Sequence, residues 1–369
     1  MSNASRSPSD IFNNEDSNTT ANPHFDAVLA ARLSRRNVLL GSASAAATTV
    51  LGSAALTGCA TAGGAGNGAN TLSAPLRSMG FAAVGKSLAD KVIVPAGYNV
   101  QVIYALGDPL RATTPAFKND GTDTDWESRA GDHHDGMEYF GLDAQGKPAL
   151  NATTRALLAI NHEATTDEKL SSFFIHANGG ASTLPRPAAE VDKELAIHGL
   201  SVVEVSAQNG QWSFNAGSAF NRRVTTMTDV LIHGPARGSE HLVTKFSADA
   251  TRARGTLNNC GTGKTPWGTF VSGEENWYGY FFRDAKDDER RGKKDKQVAA
   301  LNRYGRKAGA ASRHGWESAG SDDRFVRWNN GALGASASAD YRNEMNTFGY
   351  VVEMDAYDSR QAVRKRTGL

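Results

Sequence analysis

The sequence predicts an all-β fold for the chain beyond its leader. Short apolar runs alternate there with turn-forming residues, and helical periodicity is scarce. The runs at 200–205 and 211–214 flank Asn209-Gly210, the strongest short-range signal for a β-hairpin. The VVEM run at 351–354 repeats the VVEV of the first run, as expected for equivalent strands in repeated sheets. A β-sandwich and a β-propeller both remain open on these observations.

Residues 1–59 are typical of an export leader. Arg35-Arg36 precedes an apolar, alanine-rich run, as in substrates of the twin-arginine (Tat) export machinery. The run is too rich in small residues for a transmembrane span, and the polar segment before it is expected to be disordered. LTGC at 56–59 resembles a lipobox, in which Cys59 receives a lipid anchor; ordinary signal-peptidase cleavage is the alternative. We therefore expect a periplasmic or cell-surface protein.

A single domain is predicted over 79–369, after a linker rich in glycine and alanine at 60–78. Within this domain, the apolar run at 155–160 predicts an inner strand. The alternation of apolar and polar residues at 98–104 predicts a half-buried strand. The region 283–307 contains the charge run DAKDDERRGKKDK, and we interpret it as a solvated surface insertion; docking of a polyanion is the alternative.

Charge and cysteine content exclude some classes of partner. The 40 basic and 39 acidic residues nearly cancel, so no broad field attracts nucleic acid, and small charged substrates must be captured locally. We expect a monomer with no nucleic-acid partner. The chain has two cysteines, Cys59 in the leader and Cys260. The chain that remains after export therefore cannot form an internal disulfide.

The run GTLNNCGTGKTPWGTFVSGEEN at 255–276 concentrates residues that could carry chemistry. Its glycines and proline predict a tight loop that carries Cys260 and Lys264 before a short strand. A thiolate and the carboxylates of Glu274 and Glu275 could then face one cavity. The alternatives are that the cysteine packs as a small hydrophobic residue and that the acidic pair is a solvated strand end.

Two other acidic segments could supply metal ligands. In Asp132-His133-His134-Asp135, the aspartate oxygens suit calcium and the imidazoles suit iron or zinc. A hydrogen-bonded loop cluster is the alternative for the histidines. Glu163 directly follows an apolar run, which would place its carboxylate at the rim of a sheet. A plain exposed strand end is the alternative there.

Several basic residues could hold a phosphoryl group. Arg222, Arg223 and Arg237 supply guanidinium groups, which grip phosphate oxygens with paired hydrogen bonds. Lys264 would hold such an oxygen as a point charge. Surface arginines are usually only solvated, so each of these residues alone is weak support for an anion site.

The run TLNNCGTGKTPWGTFVSGEEN resembles the signature of the PhoX-type alkaline phosphatases, secreted enzymes that use calcium and iron on a β-propeller. The upstream runs GDHHDGMEYF, LLAINHEATTDE, ELAIHGLSVVEV, SAFNRRVTT and HGPARGSEHL resemble the same family in the same order. The resemblance covers roughly 79–369. It favours a propeller of about six blades over a sandwich.

The resemblance also implies a cofactor of calcium and iron(III) ions and a set of site residues. Cys260 would bind iron, and Glu275, in preference to Glu274, would bind metal. Glu163 and Asp135 would be further acidic metal ligands. Lys264 and Arg223 would hold the phosphoryl group.

The function that the resemblance implies is hydrolysis of phosphomonoesters with release of inorganic phosphate. Members of the family are longer, and further metal ligands and arginines lie in the additional part. We therefore interpret the chain as the N-terminal portion of such a phosphatase, with the propeller incomplete. The alternatives are a secreted propeller that binds a ligand without catalysis, or a calcium propeller hydrolase that acts on another bond, such as a lactone.

Overall fold

The computed structural model describes residues 81–165, 175–176, 183–292 and 295–368. The predicted leader and linker lie outside these residues. None of the helices in the described ranges combines the length and the apolar composition that crossing a membrane requires.

The first sheet contains five strands. In chain order they are β1 (Met137–Gly141), β2 (Arg155–His162), β3 (Gly199–Gln208), β4 (Gln211–Phe214) and β5 (Arg222–Val224). Strands β1 to β4 form an antiparallel meander, and β5 pairs with the opposite end of the long β3. The predicted hairpin is confirmed: Asn209 and Gly210 have φ angles of 52° and 77°, the positive values that a type I′ turn requires.

The second sheet contains six strands. They are β6 (Asp229–His233), β7 (Arg252–Arg254), β8 (Asn259–Lys264), β9 (Phe270–Glu274), β10 (Val351–Met354) and β11 (Arg364–Arg366). Their order is β7-β6-β11-β10-β9-β8, and only the β6–β11 pair is parallel. The two similar VVE runs lie in β3 and β10, hence in different sheets.

The helices are short. The α-helices are α1 (Ala188–Ile197), α2 (Asp287–Arg291), α3 (Lys296–Arg303) and α4 (Asp323–Val326). Single 3₁₀ turns occur at Trp126–Ser128, Glu240–Leu242, Trp277–Tyr280, Trp316–Ser318 and Glu344–Thr347. The fold is therefore mostly β with few helices, and neither sheet closes into a barrel within the described residues.

The two sheets share one hydrophobic core. Side chains of the first sheet, such as Phe140 and Leu157, pack with Ile232, Phe270 and Val352 of the second. Strand β8 also contacts β1 and β2. This packing brings the end of β2, the loop before β1 and the start of β8 close together, and the candidate site lies there.

Two strand predictions had opposite outcomes. The inner strand at 155–160 is confirmed as β2, which is buried along nearly its whole length. The strand at 98–104 is wrong: this segment has no regular secondary structure, and Val100 and Val102 are exposed. The side-chain amide of Gln101 instead exchanges two hydrogen bonds with the backbone of Trp212 in β4. Alternation of apolar and polar residues matches the two faces of a strand. A segment becomes a strand only if it also pairs with a free sheet edge, and 98–104 does not.

The charged region 283–307 is partly buried, so the expectation of a solvated run is wrong for several of its members. Arg283 and Asp287 form an ion pair of 2.6 Å with both side chains fully buried. Helix α3 begins after Asp295, whose carboxylate caps it, and buries Val298 and Leu301. Arg283, Arg290 and Arg291 pair with nearby aspartates of this region, which allows the buried charges among them to leave water.

Candidate metal centre

Four side chains, each from a different segment, lie near one another where the two sheets touch. One ligand atom each of Asp135, Glu163 and Cys260 lies within 4.8 Å of the other two. Glu275 lies close enough to these residues to raise the pKa of the Cys260 thiol and that of Glu163. Asp135 precedes β1, Glu163 follows β2, Cys260 lies in β8 and Glu275 follows β9. We call these four residues the acidic thiol cluster.

The loop before β1 fixes Asp135. The side-chain oxygen of Asn161 accepts hydrogen bonds from the backbone N–H groups of Asp135 and Gly136, at 3.0 and 2.6 Å. The carboxylate of Asp135 accepts a third bond from the N–H of Gly261, at 3.0 Å. That bond is the largest cause of the lowered pKa of Asp135. A Cβ at Gly136 would lie 2.5 Å from Thr262, so this close approach requires glycine.

Glu163 is held by backbone and amide contacts. Its N–H donates to the carbonyl of His133 at 3.0 Å, and its carboxylate accepts a bond from Nδ2 of Asn258 at 3.1 Å. The carbonyl of Asn258 in turn accepts the N–H of Glu275 at 2.8 Å. Burial raises the pKa of Glu163, and the charges of Asp135 and Glu275 raise it further.

Cys260 and Lys264 lie on strand β8, so the predicted tight loop is wrong. A β-bulge between Cys260 and Thr262 contains Gly261 in the left-handed region, with φ of 65°. Glycine inside a strand often marks such a bulge, and bulges re-aim neighbouring side chains. The half-buried thiol of Cys260 faces the carboxylates, which raise its pKa to about 12; Asp135 contributes most, followed by Glu275.

The donor set fits bound cations. Oδ1 of Asn258 is buried beside Glu163 and has no hydrogen-bond donor among the described residues. Leaving a buried acceptor without a donor costs about 1–3 kcal/mol. Within the same residues, no lysine or arginine forms an ion pair with an acidic member of the cluster. Carboxylate and amide oxygens suit calcium, whereas a thiolate suits a transition metal such as iron.

Glu274 lies outside the cluster, although it neighbours Glu275. Its carboxylate pairs with the ammonium of Lys365 at 2.8 Å. It also accepts the N–H groups of Gly349 and Tyr350, at 2.9 and 3.2 Å. The charge of Glu274 is therefore already balanced within the protein.

The two residues predicted to hold a phosphoryl group have their contacts elsewhere. The ammonium of Lys264 donates to the carbonyl of Tyr139 in β1 and lies 3.9 Å from the carboxylate of Glu138. The guanidinium of Arg223 donates to the carbonyls of Ala196 and His198, at 2.6 and 3.0 Å. Burial lowers the pKa of Arg223 to about 10, and its Nε and Nη1 have no partner among the described residues.

The remaining candidates have structural contacts. Arg222 donates hydrogen bonds to the backbone carbonyls of Asp355 and Asp358, just after β10. Arg237 donates to the carbonyls of Ile232 in β6 and Thr251, just before β7. A ring nitrogen of His134 lies 3.2 Å from the carbonyl of Gly131, and the ring stacks on Tyr104. These contacts favour the hydrogen-bonded loop for this histidine.

Reasoning from the sequence missed Asn161 and Asn258, which arrange the cluster. Both are uncharged and therefore carry no obvious chemical signal. Each nevertheless lies within three residues of a predicted ligand, in the runs NHE and NNC. The signal available in the sequence was a polar residue at the end of a predicted strand, close to a predicted ligand.

The fold and the site define a mostly-β protein with a mixed oxygen and sulfur centre suited to cations. More specifically, the chain belongs to the family described as alkaline phosphatase PhoX, whose model matches residues 79–369. The resemblance drawn from the sequence is thereby confirmed.

One similar solved structure is described as Pseudomonas fluorescens PhoX in complex with vanadate, a transition state analogue. It has 33% sequence identity and a TM-score of 0.62, and the match covers 78% of this chain and 43% of that one. The chain thus spans less than half the length of that structure. No curated protein matches the chain.

Proposed function

We propose that this chain acts in the hydrolysis of phosphomonoesters, with calcium and iron(III) bound at the acidic thiol cluster. The observation that carries the proposal is the cluster itself, in which carboxylates and a thiol converge without a protein cation among the described residues. Family membership and the vanadate complex of the solved relative support the choice of a phosphoryl substrate. We further propose that the two sheets belong to a β-propeller.

The chain's own groups would act by holding and orienting charge. Asp135, Glu163 and Glu275 would bind the cations through carboxylate oxygens, and the thiol of Cys260 would give up its proton on binding. When bound, the cations would neutralise the charge on the phosphoryl oxygens and stabilise the leaving alkoxide. The Asn258 amide would keep Glu163 oriented, because its Nδ2 donates to that carboxylate.

The roles of Lys264 and Arg223 stay predictions. Arg223 has two guanidinium nitrogens without partners among the described residues, so it could add a ligand without breaking a bond. Lys264 would have to exchange its hydrogen bond to the carbonyl of Tyr139 for a phosphoryl oxygen. We also propose export through the Tat machinery to the periplasm or cell surface. Cys59 would be the site of any lipid anchor.

The purified 369-residue chain, loaded with calcium and iron(III), tests the proposed reaction. We expect it to hydrolyse a chromogenic phosphomonoester, to lose turnover on chelation, and to regain it when both metals are restored. A chromogenic lactone is the control substrate and should not be turned over. Turnover that survives chelation would contradict the proposal, as would a metal-loaded chain that acts on the lactone alone or on neither substrate.

A further inference from the structure

We infer that Lys365 is a positioning residue for the acidic thiol cluster: its ion pair with Glu274 fixes the end of β9, so that Glu275 faces the cluster. The inference rests on the proposed binding of cations at that cluster. Lys365 itself lies in β11 and makes its contacts on the opposite side of β9 from the proposed cations.

The pair is buried completely and contacted on several sides. Nζ of Lys365 lies 2.8 Å from the carboxylate of Glu274, and both side chains are fully buried. The same ammonium donates to the carbonyl of Thr347 at 2.8 Å and lies 3.7 Å from the ring centroid of Phe348. A buried ion pair is weak support for stability by itself, because desolvation offsets much of the attraction. A role in positioning the end of β9 explains better why Lys365 and Glu274 are both buried in this core.

The pair fixes the backbone next to a predicted ligand. The second carboxylate oxygen of Glu274 accepts the N–H groups of Gly349 and Tyr350, which directly precede β10. Glu274 is thereby tied to the segment before β10 through its side chain and also through its backbone N–H, which donates to the carbonyl of Tyr350 at 3.0 Å. Successive residues of an extended chain point to opposite faces. With Glu274 held on the core face, Glu275 is directed to the face that carries the cluster.

Electrostatics supports the same assignment. The acidic members of the cluster already repel one another, since Asp135 and Glu275 raise the pKa of Glu163. An uncompensated carboxylate at Glu274 would add a further negative charge one residue away. Lys365 compensates the charge of Glu274 from the core side. Of the two adjacent glutamates, only Glu275 then needs a cation.

Binding of calcium alone, followed by titration calorimetry on the folded chain, tests the inference. The variant Lys365→Met with Glu274→Gln removes both charges of the pair and touches no proposed ligand. We expect its calcium affinity to fall about 10-fold, as for residues that orient metal ligands. The matched control is Arg283→Met with Asp287→Asn, which removes another fully buried pair, of 2.6 Å. The control should unfold at a lower temperature, like the first variant, but bind calcium as the parent chain does.

Each outcome decides between the positioning role and a structural one. Equal calcium affinities in the double variant and the parent would overturn the inference but not the proposed function. An equal loss of calcium affinity in the control would do the same. A parent chain that binds no calcium would overturn the inference together with the proposed function. If the double variant does not fold, Glu274→Gln is measured by itself, since its amide keeps an acceptor for the two N–H groups. Its calcium affinity must then fall, and an unchanged value overturns the inference.

Discussion

The two faces of the end of β9 differ in how negative charge is balanced. On the core face, Glu274 is fully buried and paired with Lys365 at 2.8 Å. On the other face, Glu275 raises the pKa of Glu163 and of the Cys260 thiol, beside Asp135, and no described lysine or arginine forms an ion pair with these acids. The two adjacent glutamates therefore differ in how their charge is balanced: Glu274 has a counter-charge within the protein, and in our proposal Glu275 receives one from a bound cation.

The strongest way to break this comparison is to neutralise the cluster-facing glutamate. Glu275→Gln should weaken calcium binding about 100-fold, because ligand charge sets the affinity of calcium sites over several decades. Without metal, the variant should unfold at the same temperature as the parent or higher, since the repulsion within the cluster is relieved. Calorimetry with calcium and thermal unfolding without it measure the two effects.

The control for this experiment is Glu240→Gln, which removes an acid whose side chain is 88% exposed and lies outside the cluster. It should leave both calcium affinity and unfolding temperature unchanged. The assignment of Glu275 would be refuted by wild-type calcium affinity in Glu275→Gln, or by an equal loss in the control.

A second prediction sharpens the comparison: in the interior, burial is the largest cause of a lowered histidine pKa. His198 is fully buried between the carbonyl of Glu194 and the hydroxyl of Tyr280, and burial lowers its pKa to about 4. The unfolded chain, with a histidine pKa near 6.5, binds the proton more readily. The stability due to neutral His198 is therefore present above pH 6.5 and lost as pH falls toward 4.

Between pH 6.5 and 5, this group alone should cost about 2 kcal/mol of unfolding free energy. Denaturant unfolding at a series of pH values measures the slope. His198→Gln should be less stable near neutral pH but should show a flatter decline on acidification. A decline as steep as that of the parent chain would show that other groups carry the effect.

Local chemistry in the sequence predicted more of this molecule than its long-range contacts did. The Asn209-Gly210 turn and the inner strand β2 follow from short patterns, and both are confirmed. Cys260 and Glu275 were predicted because a thiol, carboxylates and glycines occur in one run, and Asp135 and Glu163 were predicted from two other acidic segments. The choice between Glu274 and Glu275 depends on Lys365, which lies about 90 residues further along the chain and in a different strand.

Other features were hidden for equally physical reasons. The charge run around Asp287 obscured two helices, because the ion pairs that bury its charges cannot be inferred from composition. The bulge at Gly261 produces the same glycine-rich pattern as a tight turn. Asn258 carries no charge, and its importance depends on a buried oxygen that only the folded chain reveals.

The most direct test of the account is whether the sulfur of Cys260 binds iron. Iron(III) is titrated at pH 8 as its soluble citrate complex into the Cys59→Ser chain and into the same chain with Cys260→Ser, and visible absorption is recorded. Without metal, the carboxylates keep this thiol protonated, with its pKa near 12, so a thiolate at pH 8 must be stabilised by the bound ion. We predict a thiolate-to-iron absorption band in the first chain and its loss in the second. Identical spectra and equal iron content in the two chains would contradict the account.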